Sequence, residues 1–188
     1  SSPATPTLIK RVHETFAKDM INVYALTETT WGGVTFLSPE DHRRALTDKP
    51  ELLTSVGRVA SHFEISIRDA DGEPVETGAP GEIWLRGPGV ARGYWGDPER
   101  TEATFGARQA VEQPGDPPWL RTGDLGFLEP DGELHVSGRI KDLIVVRGRN
   151  LYPQDIEAAV EAAVPALRPG CVVALEDEEG EGIVVVAE

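Results

Sequence analysis

The run Gly138-Arg139-Ile140-Lys141-Asp142 divides this chain into two parts of different character. Before it, short β-prone runs alternate apolar and polar residues between turn signals; after it, the pattern is one strand, one helix and two more strands. A domain boundary is expected at this point, with 1–138 as one part and 139–188 as the start of a second. The class read from these patterns is α/β and β-rich, with an α+β character in the smaller part.

Upstream, Pro130-Asp131-Gly132 is a strong turn between Gly126-Phe127-Leu128-Glu129 and Glu133-Leu134-His135-Val136, so a hairpin is expected. Asp97-Pro98-Glu99 opens a helix with a capping carboxylate, proline at the first position and acid in the first turn, and Phe105-Gly106 ends it. Between this helix and the hairpin, 107–118 reads as a polar loop. Glu82 to Leu85 makes a strand, and Phe63, Ile65 and Ile67 share a strand face before the turn at Asp69-Ala70-Asp71-Gly72. Near the start, Leu8, Ile9, Val12 and Phe16 recur at helical spacing after Thr7, a candidate cap. Ile21-Asn22-Val23-Tyr24 then forms a strand leading into the polar end Ala25-Leu26-Thr27-Glu28-Thr29-Thr30. Downstream, Leu143 to Val146 is a strand. Pro153 opens a helix with Ile156, Val160, Ala163 and Val164 on one face, and Pro165 and Pro169 close it. Strands Cys171 to Leu175 and Ile183 to Ala187 flank an acidic turn, Glu176 to Glu181.

A net charge of −14 argues against a nucleic-acid surface, which needs a basic stripe. Arg139, Lys141, Arg147 and Arg149 form one local basic cluster; on charge pattern alone a solvated edge is the simpler reading, and an anion site is the alternative. Cys171, the single cysteine, lies in an apolar run and is expected as a small buried thiol. No apolar run approaches a membrane span and no leader begins the chain, so a cytoplasmic location is expected.

Three polar sets stand beside strand ends or turns: Tyr24 with Thr27 and Glu28, Asp124 within Arg121-Thr122-Gly123-Asp124, and Arg139 with Lys141 and Asp142. Singly, each has an ordinary structural reading as a cap, a turn or an ion pair. Together they describe a nucleotide site. An aromatic face stacks on a base, a hydroxyl bonds a phosphate, a carboxylate holds Mg²⁺ or a ribose diol, and an arginine meets ribose or phosphate.

In this order, the motifs resemble those of the adenylate-forming acyl-activating enzymes, a family that includes acyl-CoA ligases and fatty acyl-AMP ligases. Tyr24-Ala25-Leu26-Thr27-Glu28 is similar to the signature in which the aromatic residue packs on adenine, the threonine meets phosphate and the glutamate binds Mg²⁺. Arg121-Thr122-Gly123-Asp124 resembles the motif whose aspartate binds both ribose hydroxyls. Gly138 to Asp142 resembles the interdomain hinge, which puts Arg139 on ribose and the pivot at Lys141. Gly81-Glu82-Ile83-Trp84-Leu85-Arg86-Gly87-Pro88 and Ala91-Arg92-Gly93-Tyr94-Trp95 resemble the family's structural motif. The resemblance implies catalytic roles for Thr27, Glu28 and Lys141, nucleotide contacts from Tyr24, Thr27, Asp124 and Arg139, and metal binding by Glu28. It implies ATP and AMP, Mg²⁺, a carboxylic (fatty) acid and a phosphopantetheine thiol, on an acyl carrier protein or coenzyme A, as ligands and partners. The fold it implies is the end of a large domain, a distorted β-barrel subdomain, followed by part of a small α+β domain.

Within the family, Arg147-Gly148-Arg149-Asn150-Leu151-Tyr152-Pro153-Gln154-Asp155-Ile156-Glu157 and Pro165 to Gly170 resemble the fatty acyl-AMP ligases. Arg147 stands where coenzyme A ligases usually have glycine, and there it would fill the pantetheine path. The short stretch Thr29 to Val56 instead resembles a coenzyme A ligase, and Ala25 replaces the usual glycine of the first signature. The family's phosphate loop would lie before Ser1 and its catalytic lysine beyond Glu188. These 188 residues alone are therefore expected to bind nucleotide or carrier protein without turnover.

Overall fold

The structure is a computed structural model that describes residues 4, 6–16, 19–30, 32–108, 115–146, 148–168, 170–177 and 182–188. The elements in chain order are α1 (Pro6–Phe16), β1 (Asn22–Tyr24), β2 (Thr35–Leu37), α2 (Pro39–Ala45), β3 (Ser55–Val59), β4 (Glu64–Arg68), β5 (Gly81–Arg86) and α3 (Pro98–Phe105). They continue with β6 (Leu120–Leu128), β7 (Glu133–Arg139), β8 (Ile144–Val146), β9 (Arg149–Leu151), α4 (Pro153–Ala163), β10 (Val172–Glu176) and β11 (Ile183–Ala187). Short 3-10 turns occupy Thr27–Thr29, Pro50–Thr54 and Ile140–Asp142. The class is mixed α/β with a large antiparallel sheet. No helix among the described residues is long and apolar enough to cross a membrane.

The chain forms two compact units, one of residues 18–136 and one that joins α1 to the residues from Ser137 onward. The larger unit is built on a seven-stranded sheet in the order β1-β2-β3-β7-β6-β5-β4. Gly81 to Leu85 of β5 are all buried, and Ile83 and Leu85 are completely so, because β5 has strands on both sides and packing on both faces. Its core joins Val34, Phe63, Ile67, Ile83, Leu85, Phe105, Leu120 and Leu134. Burying these side chains supplies the main drive to fold, about 1.5–3 kcal/mol for each large one. Glu133 of β7 is buried as well. It accepts a 2.6 Å hydrogen bond from the Ser55 hydroxyl and pairs at 3.0 Å with Arg58, so the carboxylate that joins β7 to β3 is compensated.

Helix α2 has a full capping box. The Asp41 N–H donates to the Ser38 hydroxyl oxygen, and the Asp41 carboxylate accepts from the Ser38 N–H and hydroxyl. Burial acts to raise the Asp41 carboxyl, but the two Ser38 hydrogen bonds and the charges of Arg58 and Arg44 outweigh it and hold the group below its usual range. Helix α3 starts as the sequence predicts: the Asp97 carboxylate accepts from the Arg100 N–H, Pro98 follows, and Gly106 ends the helix.

The smaller unit contains the hairpin β8–β9, helix α4 and the antiparallel pair β10–β11. The Glu157 carboxylate of α4 accepts from the Ala174 N–H of β10 at 3.1 Å. Among the described residues Ile9, Gly138, Ile144, Pro153, Val172 and Ala174 are its buried ones.

Helix α1 begins at Pro6, so Thr7 lies inside it and is no cap; a proline at the first position needs no N–H partner and already has a helical φ. The expected hairpin strand at Gly126 is the second half of a longer strand that starts at Leu120. Val164 caps α4 and is exposed. Cys171 is half-buried, immediately before β10. Arg147, Pro169 and residues 178–181 of the acidic turn lie outside the described residues, as do residues 109–114 of the polar loop.

Candidate functional site

Tyr24 ends β1, and the next residues turn out of the sheet into the 3-10 turn that carries Thr27 and Glu28. The turn is locked by buried Thr29, whose hydroxyl donates to the Leu26 carbonyl at 2.9 Å and accepts from the Leu26 N–H at 3.1 Å. Thr27 is thereby left exposed and Glu28 half-buried. The Thr27 hydroxyl has no hydrogen-bond partner among the described residues.

Asp124 reaches the same place from β6, a hundred positions along the chain. The ladder between β5 and β6 pairs Glu82 with Leu125 and Trp84 with Arg121, so only Ile83 stands opposite Thr122, Gly123 and Asp124. The two surplus residues bulge from the strand. Gly123, at φ 70°, takes the left-handed conformation this bulge requires. Asp124 therefore stands at a mid-strand bulge and not at the turn or strand end expected for it.

Glu82 holds the bulge from below. Its buried carboxylate accepts from Arg121 Nε and Nη2 at 3.0 and 2.8 Å, from the Trp84 indole at 3.0 Å and from the Gly123 N–H at 3.2 Å. The Thr122 hydroxyl donates to the Ile83 carbonyl and accepts from the Asp124 N–H. With its backbone fixed in this way, buried Asp124 accepts a 2.6 Å hydrogen bond from the Tyr24 hydroxyl. A short charge-assisted bond thus ties the first predicted motif to the second.

The Glu28 carboxylate is held separately. Its Oε1 accepts a 2.7 Å hydrogen bond from the Tyr94 hydroxyl, and its carbonyl accepts from the Ala91 N–H at 2.8 Å. Burial, followed by the hydrogen bond and charge of Glu28, pushes the Tyr94 phenol above its usual range against the opposing charge of Arg100. In this pair the Tyr94 hydroxyl donates and the Glu28 carboxylate accepts. Sequence reasoning assigned Tyr94 only to a structural motif, and an aromatic residue beside a glycine carries no signal that it will meet a carboxylate 66 positions away.

Among the described residues no group of three or more metal-ligating side chains is present. One half-engaged carboxylate beside a free hydroxyl fits Mg²⁺ nonetheless, since that ion takes one or two protein carboxylates, keeps waters and shares substrate phosphates. Glu28 Oε2 accepts no hydrogen bond among the described residues and is the atom suited to the ion.

Arg139 and Lys141 belong to the smaller unit. Arg139 is the last residue of β7 and Lys141 the middle of the 3-10 turn Ile140–Asp142; both are exposed. Gly138, at φ 152°, has backbone that other residues rarely adopt, and a Cβ there would lie 2.9 Å from the Gln154 side chain.

A model of the AMP-binding enzyme family matches residues 1–95. The putative fatty-acid–CoA ligase fadD21 of Mycobacterium leprae is 59% identical over 87 residues, 45% of this chain and 15% of that protein. The medium-chain-fatty-acid–[acyl-carrier-protein] ligase JamA of Moorena producens is 52% identical over 110 residues, 57% of this chain and 18% of JamA. Among solved structures, o-succinylbenzoate CoA synthetase of Bacillus subtilis, in complex with its acyl-adenylate intermediate, aligns with a TM-score of 0.76 at 31% identity, covering 100% of this chain and 34% of that one. The chain thus spans less than a fifth of the length of these two curated relatives.

Proposed function

Because this chain belongs to the AMP-binding enzyme family, we propose that it is part of an ATP-dependent fatty acyl-AMP ligase that passes its acyl group to the phosphopantetheine thiol of a carrier protein. The observation that carries the reading is the 2.6 Å hydrogen bond from Tyr24 to Asp124, which makes one site of two motifs a hundred residues apart.

In this reading the Tyr24 ring packs on adenine, Asp124 accepts from both ribose hydroxyls, and Arg139 adds a ribose contact. The Thr27 hydroxyl donates to a phosphate oxygen. Glu28 would hold Mg²⁺, which when bound supplies positive charge against the phosphates. A fatty-acid carboxylate oxygen then attacks the α-phosphorus, the bond to the bridging oxygen breaks, and pyrophosphate leaves. Orienting the reactants and offsetting the developing charge are the protein's contributions. In the second step the thiol sulfur attacks the acyl carbon, AMP leaves, and the thiol proton passes to solvent. Lys141 is the pivot about which the second catalytic arrangement is reached. The family and the ligase relatives support the class of reaction, and JamA's carrier-protein activity supports this acceptor.

A second reading, a coenzyme A ligase, is favoured by the short path from β2 through α2 to β3 at Ser55, which carries no added segment, and by the CoA-ligase name of fadD21. The deciding experiment gives the intact protein ATP, Mg²⁺ and a panel of fatty acids, with coenzyme A and holo carrier protein offered separately. Acid-dependent pyrophosphate release with acyl transfer to the carrier protein supports the first reading. Equal or faster formation of acyl-CoA overturns it in favour of the second, and no acid-dependent pyrophosphate release overturns both.

A further inference from the structure

We propose that Tyr94 is a positioning residue that fixes the Glu28 carboxylate so that a single oxygen faces the metal and the phosphates; this rests on the reading of Glu28 above. Tyr94 and Trp95 are adjacent aromatics in one loop, yet they behave oppositely. Trp95 is fully exposed, whereas Tyr94 turns inward and puts its hydroxyl 2.7 Å from Glu28 Oε1.

The inward pose is held from several directions. The Tyr94 ring meets Phe105 edge-on at 5.3 Å, and the Arg100 guanidinium lies 4.2 Å above it. Its N–H donates to the Thr101 hydroxyl at 2.9 Å, and that hydroxyl also donates to the Asp97 carbonyl at 2.7 Å. Helix α3 is therefore a frame for the tyrosine. The loop before the helix also grips the backbone of the Thr-Glu turn: the Ala91 N–H donates to the Glu28 carbonyl, and the Thr30 hydroxyl donates to the Gly89 carbonyl at 2.9 Å. Glu28 is held at its main chain and at one carboxylate oxygen by a single segment, which leaves Oε2 as the oxygen that accepts no hydrogen bond among the described residues. A hydroxyl bonded to a carboxylate ligand sets that ligand's orientation, and losing such a partner weakens metal affinity by about tenfold or more.

Tyr94→Phe removes only the hydroxyl and keeps the ring between Arg100 and Phe105. In the intact protein, the Mg²⁺ concentration that half-saturates ATP binding, followed by calorimetry, should rise about tenfold in Tyr94→Phe. AMP affinity without Mg²⁺ and the melting temperature should stay as in the parent. Glu28→Gln, measured in parallel, separates the two ideas. If Glu28→Gln raises the Mg²⁺ requirement and Tyr94→Phe does not, the positioning role is wrong while the reading of Glu28 stands. If neither variant moves it, Glu28 is no metal ligand and both fall. Weaker AMP binding without Mg²⁺ in Tyr94→Phe would mark a general packing role and also overturn the proposal.

Discussion

Glu82 shows how one buried carboxylate can set the geometry of a neighbour it never touches. Four donors converge on it, and one of them is the N–H of Gly123, the residue on which the bulge under Asp124 turns. Gly123→Ala tests that bulge cleanly, because no atom lies within 4 Å of the added methyl and the only cost is the left-handed backbone, about 1–2 kcal/mol. The expected result is a melting temperature lower by about 2–8 °C, with weaker AMP binding if the bulge relaxes. Tyr24→Phe keeps the ring but removes the donor to Asp124. On the proposed function it should weaken AMP binding by about tenfold, the effect of losing a hydrogen bond to a charged group, which equilibrium titration would detect. At this scale the sequence identified Tyr24, Glu28 and Asp124 by motif, and the structure brings Tyr24 to Asp124. The tyrosine on Glu28 and the glutamate under Gly123 were not legible, because both act through contacts that exist only once β5, β6 and the 89–94 loop are in place.

Among the elements, those with local chemistry were readable. Asp97-Pro98 starts α3 and Pro130-Asp131-Gly132 turns β6 into β7, since a cap and a tight turn are decided by adjacent residues. Strands β2 and β3 were missed for the opposite reason. Thr35–Leu37 is too short to show alternation, and Ser55–Val59 contains a glycine and an arginine; each is a strand through its pairing with distant neighbours. Helix α2 did carry a signal, Ser38-Pro39-Glu40-Asp41, which is a capping box in compact form. Ser38→Ala should cost about 1 kcal/mol at neutral pH in a urea melt. It should also change the acid limb. The Asp41 carboxyl is lowered in the folded state, so its stabilisation is present above the unfolded carboxylate range and is lost as pH falls through the lower folded value. With the Ser38 hydroxyl gone the shift shrinks, so the stability difference between parent and variant should narrow below about pH 4. A constant difference down to pH 2 would show that the hydroxyl bond to Asp41 does not contribute.

At the scale of the molecule, the change of pattern in the sequence puts a division at Gly138 to Asp142, whereas the path of the chain is visible only in the fold. The units divide between Val136 and Ser137, inside β7, and the strand runs on to Arg139 before a 3-10 turn follows at once. That turn is lightly held. None of its residues is buried, Ile140 is 44% exposed, and the closing bond from the Leu143 N–H to the Ile140 carbonyl is 3.4 Å long. A segment with so few contacts can change its torsions at little cost, as a pivot requires. Lys141→Pro tests this directly. Proline fixes φ at its own position and pushes Ile140 out of the helical region into extended backbone, so the turn loses freedom without any loss of core. On the proposed function, the two half-reactions of the intact protein should then separate. Acid-dependent pyrophosphate release should persist, while transfer of the acyl group to the thiol falls at least about tenfold, the loss that about 1.4 kcal/mol of added barrier produces. If both half-reactions fall by the same factor, position 141 supports the site as a whole and is not the point about which the second step turns.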